Sequence, residues 1–161
     1  MVILIGGVGH AGKTLMAQKL LEKYKTPYLS MDHLKMGLYR ADPIGCGFTP
    51  LDSQSVIGEK LCPILRGIIM TNIENRQHLI IEGIYLLPWR VAELDKEYLR
   101  DIVSFYLLFS EEYIHKHFTS DIWEHRCAIE ARGDDDDFTL EEFIEDNRRQ
   151  RLMRGIRRNV F

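Results

Sequence analysis

Eight residues near the start of the chain, Gly7-Val8-Gly9-His10-Ala11-Gly12-Lys13-Thr14, set a glycine ahead of Gly-Lys-Thr with four residues between. That spacing suits a phosphate cradle. The glycines let backbone N–H groups converge on phosphate oxygens, and a helix opening directly after them adds its dipole. Lys13 then supplies a point charge for the β- and γ-phosphates of ATP, and the Thr14 hydroxyl a ligand for Mg²⁺. His10 lies inside the loop, where its backbone N–H alone can serve.

The cradle works only between a buried strand and an amphipathic helix, and the flanks supply both. Val2 to Ile5 is wholly apolar and predicts a central parallel strand, while Ala17, Leu20, Leu21 and Tyr24 recur at helical spacing until Thr26-Pro27. Tyr28-Leu29-Ser30 predicts the next strand, His78 to Gly83 another, and Ile102 to Phe109 one more. Gly37, Pro43, Gly45, Gly47 and Pro50 predict a loop over 37–50 that could shape a substrate pocket. Thr49-Pro50 reads as the cap and first position of a helix carrying Ile57, Leu61, Ile64 and Ile68 on one face, with Pro63 expected to kink or divide it. Ser110 with Glu111 and Glu112 opens a short helix to about Phe118, and Thr139 with Glu142 forms a capping box opening the last. Strands alternating with helices imply a parallel sheet in a three-layer α/β fold.

Length and composition bound the reading. At 161 residues, 45% of them hydrophobic, a single domain is expected. A net charge of -3 offers no general attraction to nucleic acid or an anionic membrane, so any anion site must be local. Cys46, Cys62 and Cys127 are odd in number and far apart, which argues against a disulfide framework or a zinc site and suits a reducing cytoplasm. No apolar run approaches the roughly 20 residues of a membrane span, and the apolar start reads as a strand, not a signal peptide.

Taken together, the loop and its flanks resemble the P-loop kinases of small molecules, the group holding nucleoside monophosphate, shikimate and gluconate kinases and the zeta-toxin-like phosphotransferases. Within it, Leu79-Ile-Ile-Glu-Gly-Ile-Tyr-Leu-Leu-Pro88 is most similar to 2-phosphoglycerate kinase, and Phe105 to Phe118 is similar too. The resemblance implies a kinase using ATP and Mg²⁺ on a hydroxyl of a small, anionic metabolite. Asp32, after the second strand, is then the candidate base, though an Asp there also explains a helix cap for 33–38. Glu82 takes the place of the acid that holds a Mg²⁺-bound water, or positions substrate; a structural ion pair is its alternative. Arginines from a lid close such sites, which nominates Arg126 and Arg132 in a lid-like stretch of about 119–138.

An anionic acceptor calls for cations near Asp32, and Lys35, Arg40, Arg66 and Arg90 are available; Tyr85 and Trp89 could line the pocket. Asp134 to Asp137 reads as a solvated turn. Six arginines between Arg148 and Arg158 could bind nucleotide, a phosphorylated partner or RNA, but ordinary amphipathicity, with Ile144, Leu152 and Ile156 inward, accounts for them. Related folds continue into a fifth strand and build part of the adenine pocket around it; after Asn159-Val160-Phe161 that strand is expected to be short, absent, supplied by another subunit or lost through truncation. The sequence also admits a nucleotide kinase, a nucleoside-triphosphate switch with slow hydrolysis, and a nucleic-acid-binding ATPase. The switch lacks its base-specificity motif Asn-Lys-x-Asp, and net charge and size speak against nucleic acid.

Overall fold

Alternate residues of the first strand face opposite ways, and both sides are covered. In the computed structural model, which describes residues 1–125 and 138–155, β1 (Val2–Gly7) sends Val2 and Leu4 into one core cluster and Ile3 and Ile5 into another. The second cluster holds Ala17, Met16 and Leu20 of α1 (Lys13–Tyr24). The first holds Met31 of α2 (Met31–Ala41) and Ile57, Leu61, Leu65 and Ile69 of α3 (Gln54–Glu74). Helices therefore cover both faces, and the layers are helix, sheet, helix.

Four parallel strands make the sheet, in the order β2-β3-β1-β4, with β2 at Tyr28–Ser30, β3 at Leu79–Glu82 and β4 at Ile102–Leu107. From β1 the chain crosses to β2 on one side, and from β3 it crosses back to β4 on the other. The connections after β1 and β3 thus diverge at their carboxyl ends, opening the crevice where such sheets hold ligands. Register places Ile5 beside Glu82 and Glu82 beside Ser30. Among the described residues no strand pairs with the outer edge of β4, where Val103 and Phe105 are exposed. Residues 156–161, where the fifth-strand question falls, lie outside the described residues.

Several boundaries differ from those expected. The 37–50 loop begins only at Asp42, because α2 continues through Gly37 to Ala41. Thr49 and Pro50 do not open α3: Asp52 accepts from the Thr49 backbone N–H at 2.7 Å and holds a turn there. Ser53 is the cap instead, its hydroxyl accepting from Val56 N at 3.4 Å. Pro63 does not divide α3, which runs unbroken for 21 residues. A helix-interior proline costs roughly 3 kcal/mol. Burying Ile57, Leu61, Leu65 and Ile69 returns roughly 1.5–3 kcal/mol each, enough to hold the helix across it.

Beyond β3 come two single turns, α4 (Pro88–Val91) and α5 (Lys96–Leu99). After β4, α6 (Glu111–His117) starts at the Ser110 cap and passes into a π-helical turn, Phe118–Trp123, where a polar lid-like stretch was expected to begin. The final helix, α7 (Leu140–Gly155), opens on the anticipated capping box: Thr139 Oγ1 accepts from Glu142 N at 3.2 Å and Glu142 Oε2 from Thr139 N at 2.8 Å. Ile144 is buried as expected, Leu152 is not, and Ile156 lies outside the described residues. Leu152 is 71% exposed, whereas Phe143, Ile144, Asn147 and Gln150 are buried. No helix among the described residues is long and apolar enough to cross a membrane.

Candidate active site

The loop between β1 and α1 owes its shape to two glycines. Gly7 has φ 126° and lies so close to β4 that a Cβ would meet the Leu107 carbonyl oxygen at 2.1 Å; Gly12 has φ 78° and caps α1. Side chains are disfavoured at both. His10 also has positive φ, 54°, and its ring stacks on Phe138 at 4.8 Å. The imidazole is thus part of an aromatic cluster with Phe118, Trp123, Phe138 and Phe143, and the loop offers backbone rather than ring at this position.

Lys13 is buried, its Nζ donating to the Val8 carbonyl at 2.6 Å, so the ammonium is folded over the loop it belongs to. Thr14 donates to Glu82 Oε2 at 3.3 Å. Glu82 is 1% exposed at the end of β3. Burial pushes its carboxyl above the ordinary range, against the pull of Ser30, Lys13 and Thr14 and with a further push from Asp32. Neither Glu82 Oε1 nor the buried Ser30 hydroxyl completes a hydrogen bond. Unsatisfied buried groups of this kind cost roughly 1–3 kcal/mol each, so two side by side at one crevice call for a ligand or water.

Asp32 sits in the first turn of α2, whose cap position is Ser30 rather than Asp32 itself. Its carboxylate is 3.6 Å from Lys35 Nζ, one turn on, and is partly exposed. Lys35 in turn donates to the hydroxyl of Tyr85 at 2.9 Å, and Tyr85 is buried just past β3. Of the four cations nominated for an acceptor, Lys35 is the one the structure sets beside Asp32. Arg90 is bound to Glu59 at 2.7 Å and to Glu93 at 3.1 Å, and Arg66 lies 3.8 Å from Glu93. These pairs line an open groove of about 600 Å³ between α3 and α4 that includes no residue of the loop, nor Asp32 or Glu82. Trp89 belongs to the same network through Glu59. Arg40 is exposed near the end of α2.

Sequence reasoning missed the contribution of α7. Asn147 is fully buried and bridges the Phe109 backbone, accepting from its N–H at 3.0 Å and donating to its carbonyl at 2.9 Å. Gln150 donates to Gln54 at 2.6 Å, and Gln54 to Asp146 at 3.5 Å. Burial raises the Asp146 carboxyl, while Gln54, Arg149 and Lys13 pull it down, so this acid lies within the field of the loop lysine. Polar residues inside a helix that reads as amphipathic carry no periodic signal. Of the α7 arginines, Arg148 pairs with Glu111 at 2.8 Å and Arg151 donates to the Phe109 carbonyl at 2.6 Å. Arg126, Arg132, Cys127 and Asp134 to Asp137 lie outside the described residues.

Among the described residues no three His, Cys, Asp or Glu side chains gather as a resident metal centre. What is present is hard oxygen chemistry from Thr14 and Glu82, with a carboxylate oxygen left open. That set fits a cation that keeps its waters and takes its remaining ligands from phosphate.

No protein-family model matches the chain, and no characterised protein matches it in sequence. Solved structures do resemble it. A protein of Chloroflexus aurantiacus j-10-fl assigned as a kinase aligns at a TM-score of 0.53 with 18% identity, over 92% of this chain and 78% of that one. Shikimate kinase from Aquifex aeolicus vf5 aligns at 0.44 with 13% identity over 97% and 99%, and a gluconokinase from Sinorhizobium meliloti 1021 at 0.40 with 16% identity over 96% and 94%. At these identities the likeness is one of fold alone, carried by the first of the three: an α/β fold with a parallel sheet.

Proposed function

We propose that this chain is a kinase that moves the γ-phosphoryl group of ATP to a hydroxyl of a small, anionic metabolite. One observation supports this above the rest: Lys13, Thr14, Asp32 and Glu82, from three elements, lie at the carboxyl ends of β1, β2 and β3, around one crevice. Backbone N–H groups of Gly7 to Thr14 hold the phosphates, and Lys13 leaves the Val8 carbonyl for them. Thr14 and Glu82 hold the cation, which neutralises phosphate charge when bound. Asp32 orients the acceptor hydroxyl and takes its proton, and Lys35 meets the acceptor's anionic group beside it. Such catalysis is positioning and charge stabilisation. In this reading Arg126 and Arg132 close over the phosphates, while Arg66 and Arg90 rank behind Lys35 because their acid partners, Glu93 and Glu59, line a groove apart from Asp32, and Arg40 ranks behind it because it is exposed near the end of α2.

The test is an ATP-consumption screen with Mg²⁺ over phosphorylated acids, 2-phosphoglycerate among them, sugars, nucleotides and antibiotics, with Lys13→Ala as control. Consumption stimulated by one acceptor class and lost in the control is the expected result. A folded parent that binds no ATP, indistinguishable from Lys13→Ala, overturns the reading.

A further inference from the structure

The two buried polar atoms without partners in this crevice, Ser30 Oγ and Glu82 Oε1, belong to neighbouring residues of the β2–β3 pair. Ser30 is 4% exposed and Glu82 1%, so neither turns to bulk water. The β2–β3 register sets the two residues side by side, and neither atom completes a hydrogen bond. Glu82's other oxygen is occupied by Thr14. A hydroxyl that can both donate and accept, facing a carboxylate oxygen that can only accept, is suited to receive a water that donates to both.

We infer that Ser30 is a positioning residue of the cation centre, its hydroxyl and Glu82 Oε1 together receiving a cation-bound water when nucleotide is present. The inference rests on the nucleotide-site reading above. Charge explains why a hydroxyl rather than another acid stands here. Glu82 is buried, and Asp32 stands two residues past Ser30, so a further carboxylate at Ser30 would add like-charge repulsion. Serine supplies the hydrogen bond without the charge. Partners of metal-bound groups at this remove commonly set affinity by about 10- to 100-fold.

The experiment measures Mn²⁺ uptake by electron paramagnetic resonance in the presence of a non-hydrolysable ATP analogue, together with the melting temperature of the metal-free protein, for the parent and Ser30→Ala. The expected result is Mn²⁺ affinity weakened about 10-fold in Ser30→Ala, with binding of the metal-free analogue unchanged. The metal-free melting temperature is unchanged or higher, since an unsatisfied buried hydroxyl has been removed. Ser30→Cys, nearly isosteric but a poor hydrogen-bond donor, reports the same loss should Ser30→Ala not fold. Equal Mn²⁺ affinity in variant and parent overturns the role of Ser30 while leaving the nucleotide site standing. The same equality with a lowered melting temperature assigns the hydroxyl to a structural water instead. If the parent with the analogue takes up no Mn²⁺, the site reading itself falls, and this inference with it.

Discussion

The Thr14 hydroxyl donates to Glu82 Oε2 across 3.3 Å, so the first turn of α1 and the end of β3 share a polar contact between residues 68 positions apart. The contact fixes the loop lysine's neighbour against a carboxyl that is otherwise sealed in the sheet.

Burial gives Glu82 a measurable signature in the metal-free protein. Its folded-state pKa is raised, so between the ordinary carboxyl range and that raised value the native state binds more protons than the unfolded chain. Stability contributed by this group is therefore full at low pH and declines as pH rises through the window. Chemical denaturation in chelator-treated buffer from about pH 4 to pH 8 checks it: Glu82→Gln removes this component of the slope. An unchanged slope would place the titration elsewhere.

Asp32 separates chemistry from binding. It lies in the first turn of α2, beside Lys35 and apart from the phosphate loop in sequence. Asp32→Asn should lower turnover with the acceptor by roughly 10²- to 10⁴-fold, the usual contribution of a positioned base. ATP affinity by calorimetry should not change. A variant that loses ATP binding in parallel would mark Asp32 as part of the nucleotide site instead.

Tyr85 sets the direction of Lys35, whose ammonium it accepts at 2.9 Å and which also lies over its ring at 5.1 Å. A hydrogen bond to a charged group contributes roughly 1.5–3 kcal/mol, so Tyr85→Phe should raise KM for an anionic acceptor by about tenfold or more. With kcat and ATP affinity retained, the effect belongs to acceptor binding. A fall in kcat alone would tie Lys35 to Asp32 rather than to the acceptor.

How far the sequence foretold this site depends on whether a residue's environment is local. The loop from Gly7 to Thr14 was readable because backbone shape and chemistry are encoded in consecutive residues, and β1 and α1 follow from adjacent patterns. Asp32 and Glu82 were readable as acids at strand ends. Ser30 was not, because its significance is that nothing satisfies it, a property of the β2–β3 register. Arg66 and Arg90 looked available for an anion until the fold brought Glu59 and Glu93 to them. The start of α3 was misplaced because Thr49-Pro50 has cap chemistry, while the Asp52 carboxylate three residues on diverts that segment into a turn.

Asn147 ties α7 to the segment just past β4. Its amide accepts from the Phe109 N–H and donates to the Phe109 carbonyl just beyond β4, behind the aromatic cluster that packs on His10. Replacing it by leucine of similar shape leaves the carbonyl with the Arg151 guanidinium, which donates to it at 2.6 Å, so the loss falls chiefly on the N–H. An unpaired buried donor costs roughly 1–3 kcal/mol. Thermal unfolding of Asn147→Leu should therefore show a midpoint lowered by several degrees. Arg148→Ala, which removes only an exposed pair with Glu111, should leave the midpoint nearly where it was. Equal shifts in the two variants would mean that surface charge, not the buried amide, fastens α7.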